Sequence, residues 1–381
     1  MERSHFMGLS RTIVALGCAL GLAACNDDVW HPDDPPDIRE GTDVPHEPTG
    51  GWFTEVVTGG SRDAGIAVDS DGKVHISCFD GAGLIYAGGK TLDWHIALLD
   101  GGQADLGEGN DIATGPDKMP QISYRASPTE IRLARFIGTN WIITTVGTGG
   151  HVGPQTAIAV DTNNRPHVVY YDERERFLKY AVLDGATWTR ETVAELENWE
   201  QKVDIAVDAQ GRPHVSFQGF ADSRWSVKHA TRTDAGWRIT TVDANGDLSC
   251  ASLALDAAGT PHLSYYQLTD STNANTRDLK CAVWNGGGWT VTTVDQDGDV
   301  GNHSSIAVDL AGHVHISYVD YSNRALKYAY NDGTLWSKAT VDRNSPSRGV
   351  AWQTAIAVDG QNRPHIGYFD GFADKLMYAH K

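Results

Sequence analysis

The 381-residue chain is short of cysteine and of positive charge, and it lacks both helical spacing of apolar residues and an apolar run long enough to span a membrane comfortably. Each shortage narrows what the chain can be. Of five cysteines, Cys18 and Cys25 fall in the N-terminal apolar segment. Cys78, Cys250 and Cys281 remain, an odd number without metal-ligand spacing. Lys and Arg number 31 against 49 Asp and Glu, a net charge of −18, which argues against nucleic acid or an anionic bilayer as the main partner. The apolar run Ile13 to Ala24 is too short for a transmembrane helix. No segment gathers an acid, a base and an orienting group into one motif, so no enzyme class announces itself.

What the chain has instead is repetition. The block Ile306-Ala307-Val308-Asp309 has counterparts starting at Ile66, Ile112, Ile158, Ile205, Leu253 and Ile356, at steps of 46, 46, 47, 48, 53 and 50 residues. Within the module 305–342 four short alternating segments, here A to D, are separated by turn formers such as Leu310-Ala311-Gly312 and Asn331-Asp332-Gly333. A period near 50 with four short strands predicts an all-β radial array, in which neighbouring sheets cover faces that one sheet cannot cover alone.

The count predicts seven blades. The seventh module ends at its C strand, while Gly51 to Val57 precedes the first A strand and carries a D-type tryptophan, Trp52. With it, the D position holds Trp52, Trp94, Trp141, Trp188, Trp237, Trp289 and Trp336. The expectation is a seven-bladed β-propeller with four antiparallel strands per blade over residues 51–381, closed by the N-terminal strand pairing in the last blade. Closure of that kind removes an exposed edge.

Ahead of the repeats, Leu22-Ala23-Ala24-Cys25 follows Arg11 and the apolar run. It resembles the lipobox of bacterial lipoproteins, which implies a signal peptide over 1–24, cleavage before Cys25 and lipidation of its sulfur. Residues 25–50, acidic and rich in proline, read as a solvated tether. The resemblance implies a lipid-anchored protein of the bacterial cell envelope, on the outer membrane or the periplasmic face, touching the membrane only through its anchor; a monomer is expected.

Six modules carry an aspartate closing strand A and a histidine opening strand B: Asp69 and His75, Asp161 and His167, Asp208 and His214, Asp256 and His262, Asp309 and His315, Asp359 and His365. The second module lacks both, having Thr114 and Gln121. Joint loss predicts that the two side chains meet, with the carboxylate accepting from the imidazole. Sixfold recurrence makes these structural clips rather than catalytic dyads. The run at Ile66 and the run at Val319 are similar to NHL-type repeats. The turn before Trp188, Asp184-Gly185-Ala186-Thr187, looks like a degraded Asp-box (BNR) of the sialidase-like propellers. No full Asp-box and no sialidase arginine triad is present, so the resemblance implies the fold and carries no sialidase activity.

If regular positions build the frame, function sits where modules differ. Three residues before the A-strand anchors stand Asp63, Gly109, Gln155, Lys202, Cys250, His303 and Gln353, a polar and unrepeated ring expected at the mouth of the central channel. Trp199, Trp225 and Trp352 are off-register tryptophans expected in loops on the same face, beside Gln201, Arg224 and the cations Arg125, Arg174, Arg324 and Arg348. Aromatic shelves with hydrogen-bonding neighbours suit a sugar or a peptide. Asp295, Asp297 and Asp299, with a related run Asp243 to Asp247, alternate acids around a glycine in the manner of a calcium loop. The downstream glutamate of an EF-hand is missing, and ordinary turn chemistry accounts for them, so no cofactor is expected. The reading is a glycan-binding or extracellular-protein-binding platform. The alternative is a glycan-active hydrolase or lyase at the channel mouth, with His303, His151 or an arginine and with Asp63, Asp111 and Asp204 as carboxylates; a third reading is a scaffold for other envelope proteins.

Overall fold

A computed structural model describes residues 51–59, 62–102, 106–107, 109–148, 151–196, 202–221, 224–268, 277–343, 353–371 and 373–381. Cys25 and the segments 1–24 and 25–50 lie outside them, as do Trp199, Gln201, Arg348 and Trp352. Strand is the only repetitive structure described, in seven four-stranded antiparallel sheets. Blade 6 shows the plan: strand A is Val300–Val308, B is Val314–Asp320, C is Ala325–Asn331 and D is Trp336–Arg343. The inner strands A touch one another from blade to blade around the axis.

The seventh sheet is composite. Thr354–Val358, Pro364–Asp370 and Lys375–His380 form its strands A to C, and Phe53–Gly59 supplies D, in a register that pairs Phe53 with His380 and Glu55 with Tyr378. Strand B residues are buried on both faces in blades 3, 6 and 7, because a neighbouring blade packs on each side. Strand D, at the rim, keeps most of its residues exposed or half-exposed.

The D-strand tryptophans join the blades. Five of the seven lie against the strand C aromatic of the preceding blade: Trp94 on Tyr378, Trp141 on Tyr86, Trp237 on Tyr180, Trp289 on His229 and Trp52 on Tyr328, all edge-on with centroids 4.9–5.3 Å apart. Such pairs contribute about 0.5–1.5 kcal/mol each beyond the area they bury.

The aspartate of each clip stands just past strand A, in the A–B turn. There its first task is backbone capping: Asp69 Oδ1 accepts the N–H groups of Asp71 and Lys73, both at 2.9 Å, and Asp161, Asp208, Asp256, Asp309 and Asp359 do the same in their turns. The turn closes on a left-handed residue, Gly72, Gly211, Gly259 or Gly312, with Asn164 and Asn362 at the same point in blades 3 and 7. The imidazole comes close to the second oxygen in all six clips, at 3.3–3.7 Å. Hydrogen-bond geometry is met in only two, His75 with Asp69 and His315 with Asp309. The stronger bond of the ring is elsewhere, from strand C: Tyr86, Tyr180, Tyr328 and Tyr378 each meet the histidine Nδ1 at 2.6–2.8 Å. In those four blades the expected two-residue clip is therefore a turn cap, an imidazole and a phenol in sequence.

Candidate functional site

Strand A enters each blade from the rim loop, and in blades 1, 3, 5 and 6 its pairing with strand B slips by a bulge just before the anchor. Bulges re-aim side chains. The residue three before the anchor is left-handed in three blades, with φ of 53° at Asp63, 57° at Gly109 and 50° at His303. For the two non-glycine residues that conformation costs on the order of 1 kcal/mol, so the surroundings must hold it. At Asp63 they do: its carboxylate accepts from Gly109 N–H at 3.2 Å and from the Gln353 amide, while Asn110 donates to its carbonyl at 2.7 Å. One residue thus ties blades 7, 1 and 2 together at the mouth.

These side chains converge. Asp63, Gln155, Lys202, His303 and Gln353 line one cavity of about 190 Å³ on the axis, together with Asp111 and Asp204. Lys202 spans it, donating from blade 4 to the Ser304 carbonyl of blade 6 at 3.0 Å. The imidazole of His303 makes no hydrogen bond to any described residue, while the backbone N–H of His303 donates to Asn302 Oδ1 at 2.9 Å. The Gln155 amide is likewise uncommitted among the described residues.

Beneath this ring lies a second one, at the residue immediately before each anchor: Gly65, Asp111, Ala157, Asp204, Ser252, Ser305 and Ala355. Strand A has a free inner edge whose N–H groups face the channel and need acceptors. Asp111 Oδ2 accepts from Ile158 of the next blade and Oδ1 from Ile112 of its own, both at 2.9 Å. Asp204 accepts from Leu253 N–H and Ser252 Oγ–H at 2.8 Å and from Ile205 N–H at 2.8 Å. Ser252 and Ser305 accept from Ile306 at 3.3 Å and Ile356 at 3.2 Å. Gly65 leaves room for the adjoining edge, since a Cβ there would stand 3.1 Å from Ile112 N. Where Gly65 and Ala157 offer no acceptor, the next blade's own aspartate supplies one.

The electrostatics follow from enclosure. Burial, then repulsion from Asp204, pushes the Asp111 carboxyl up to about 7 against the pull of its two N–H donors. Burial also raises Asp204, opposed by Leu253 N–H, Ser252 and Lys202. Lys202 is lowered by burial despite both aspartates, and His303 is pushed down to about 3 by burial and by Lys202. At neutral pH His303 is an uncharged imidazole with two free ring nitrogens beside Lys202.

Other expected site residues lie elsewhere. Trp225 belongs to strand C of blade 4, Arg224–Thr233, and not to a loop; it stands edge-on to Phe220 across its own hairpin at 5.0 Å, away from the central cavity. Arg224 is exposed at the start of the same strand. Arg125 is partly buried, and Arg174 and Arg324 occupy B–C turns of blades 3 and 6. His151 pairs with Glu173 at 2.5 Å. The side chain of Cys250 lies outside the described residues; Cys78 and Cys281 are buried.

The acidic loop of blade 5 is an ion-pair network. Asp295 accepts from Lys338, Lys327 and Tyr318, Asp297 pairs with Lys338, and Asp299 accepts from Arg277 and from Tyr266 at 2.8 Å. Lys327 and Lys338 outweigh burial and draw Asp295 down to about 2. No cluster of three metal-ligating side chains occurs among the described residues. Two observations here were open to sequence reasoning and missed: the small or acidic residue before every anchor, and the histidine standing for tyrosine at His229.

No protein family matches the chain by sequence, and no curated protein does. Solved structures do match by shape. A polysaccharide lyase of the PL25 family, an ulvan lyase bound to -[GlcA(1-4)Rha3S]-, is 13% identical over 85% of this chain and 94% of its own, with a TM-score of 0.60. A Dyadobacter fermentans protein of unknown function is 10% identical over 87% and 98%, at 0.52. The Aleuria aurantia lectin in complex with Fucα1-6GlcNAc is 12% identical over 70% and 89%, at 0.50. At these identities the likeness is one of fold.

Proposed function

We propose that this chain is an envelope-anchored propeller that binds one sugar unit of a glycan at the mouth of its central channel. The observation that carries the reading is the convergence of Asp63, Gln155, Lys202, His303 and Gln353, from five blades, on one cavity. Carboxylate, amide, lysine nitrogen and neutral imidazole supply the mixed donors and acceptors that sugar hydroxyls need. Asp111 and Asp204 have most of their oxygens committed to strand edges, which favours holding a ligand over reacting with it. A lyase and a fucose-complexed lectin among the chains of similar shape add to the plausibility of a glycan. Cys25 and the acidic tether give the domain its attachment to the envelope, and a protein partner is the competing ligand.

One observation favours a second reading. His303, unbonded beside Lys202, stands where it can take a proton next to a sugar carboxylate; held down to about 3 by burial and by Lys202, it becomes an effective base only when the bound carboxylate raises it. The deciding experiment is a glycan array with the full chain, followed by incubation of each hit and detection of the ultraviolet absorbance of an unsaturated uronate. Binding lost in His303→Ala and Gln155→Ala, with no absorbance, supports the binding reading. Absorbance that grows with time replaces it with the lyase. No glycan hit removes both.

A further inference from the structure

Blades 4 and 5 are joined differently from the others. Where blades 1, 3, 6 and 7 set a strand C tyrosine against the strand B histidine, blade 4 has His229, whose Nε2 lies 3.1 Å from His214 Nδ1. A shorter ring in that place, with Thr231, Thr240 and Thr260 around it, leaves a groove of about 430 Å³ between the blades. It is bounded by the A–B turn of blade 5 and the C–D end of blade 4. In an antiparallel blade those turns lie at the end opposite the D–A loops, so the groove opens on the face away from the channel mouth.

The wall of this groove is cationic in a chain of net charge −18. Arg212, Arg232 and Arg238 line it, and no aspartate or glutamate does. Asp208 and Glu191 partner the first two from behind. Arg238 has no hydrogen bond or ion pair among the described residues and lies over the Trp284 ring at 5.8 Å. At the same position the other blades carry Phe53, His95, Ile142, Thr189, Thr290 and Ser337, so the guanidinium is peculiar to this boundary. His214, buried, also lines the groove, with its Nδ1 on His229 and its Nε2 turned to Asp208 Oδ2 at 3.7 Å, so neither histidine adds charge to compete with the guanidinium groups.

We propose that this groove binds a sugar unit carrying a carboxylate or sulfate, its anion on Arg238 and its ring against Trp284. A planar guanidinium held over an aromatic face matches such a group with two parallel donors, the threonine hydroxyls serve the ring, and the indole offers an apolar wall. The site is separate from the channel mouth and stands or falls without it.

The test is calorimetric titration of the full chain with glucuronate, glucose and inorganic sulfate. Glucuronate is expected to bind, sulfate to compete with it, and glucose to fail. Arg238→Gln should weaken glucuronate by about tenfold or more, the loss of a hydrogen bond to a charged group. His229→Tyr rebuilds the tyrosine of the other boundaries, fills the groove and should abolish binding with the melting temperature kept or raised. His303→Ala should leave this titration unchanged, which separates the groove from the channel mouth. Glucuronate bound equally well by either groove variant, glucose bound as tightly as glucuronate, or no binding of glucuronate and sulfate by the unaltered chain would overturn the assignment.

Discussion

Trp52 lies edge-on to Tyr328 with ring centroids 5.0 Å apart, although 276 positions separate them in the chain. Trp52 is fully buried, and it reaches Tyr328 only because the strand that follows it completes blade 7 beside blade 6. Ring closure and blade packing are thus one event at this contact. Trp52→Ala should cost about 3–5 kcal/mol, the usual loss for a buried tryptophan. Trp336→Ala, at a half-buried ring in the same register, should cost less. Urea unfolding of the two variants measures the difference, and equal losses would show that closure contributes nothing special.

The clips differ in how fully their imidazoles are used, and this predicts a ranking. His315 has both nitrogens bonded, to Tyr328 at 2.7 Å and Asp309 at 3.4 Å. His262 has neither: Cys281 occupies the tyrosine position that would meet Nδ1, and Asp256 stands 3.6 Å from Nε2. Replacing His315 by Leu orphans a buried phenol and should cost about 1–3 kcal/mol beyond any packing change. His262→Leu orphans nothing and should stay within about 1 kcal/mol of the parent. Urea midpoints for the pair decide it; a larger loss at His262 would refute the account of the phenol as the main partner.

The frame was legible because every blade repeats the same packing problem, so the seven anchors, the D-strand tryptophans and the displaced strand could be counted. The channel mouth was legible in part. The residues three before the anchors were singled out because they vary, and five of them line the cavity. The ring just before the anchors was not recognised as a set, because glycine, alanine, serine and aspartate look unrelated until the free edge of strand A explains what they share. Trp225 was misplaced since the B–C hairpin of blade 4 runs longer than its counterparts, drawing an apparent loop residue into strand. The groove at His229 depends on a single departure from tyrosine, which reads as neutral drift until the space beside it is seen.

Acid should destabilise the fold. Burial holds the six clip histidines, His229 and His303 below the ordinary histidine value, so below pH ~6.5 the unfolded chain binds more protons than the folded one. Burial pushes the clip aspartates up, but turn N–H groups outweigh it and hold them low, so their contribution is present above the usual carboxylate value and is lost as pH falls further. Asp111 runs the other way: its folded value near 7 gives stability at low pH that is lost as pH rises towards 7. The melting temperature should fall from pH 7 to pH 5, and Asp111→Ser should steepen that fall by about one proton, or ~1.4 kcal/mol per pH unit. A flat profile in the parent chain, or an unchanged slope in the variant, contradicts these assignments.

The channel ring makes its own prediction through residues the chain already uses in its place. Asp204 satisfies three donors, two of them backbone N–H groups on neighbouring strand edges. Asp204→Ala removes all three acceptor contacts at a half-buried site, and each stranded donor costs roughly 1 kcal/mol or more, giving a loss of about 1–3 kcal/mol. Asp204→Ser should recover much of that loss, because Ser252 and Ser305 already accept the next blade's N–H at the equivalent position. The serine variant also removes a negative charge beside Asp111, whose carboxyl should then titrate lower, since repulsion from Asp204 is the second cause of its rise. Denaturant midpoints measure the first effect and carboxyl NMR titration of Asp111 the second. If the serine variant is no more stable than the alanine variant, the role of this ring in covering strand edges is wrong.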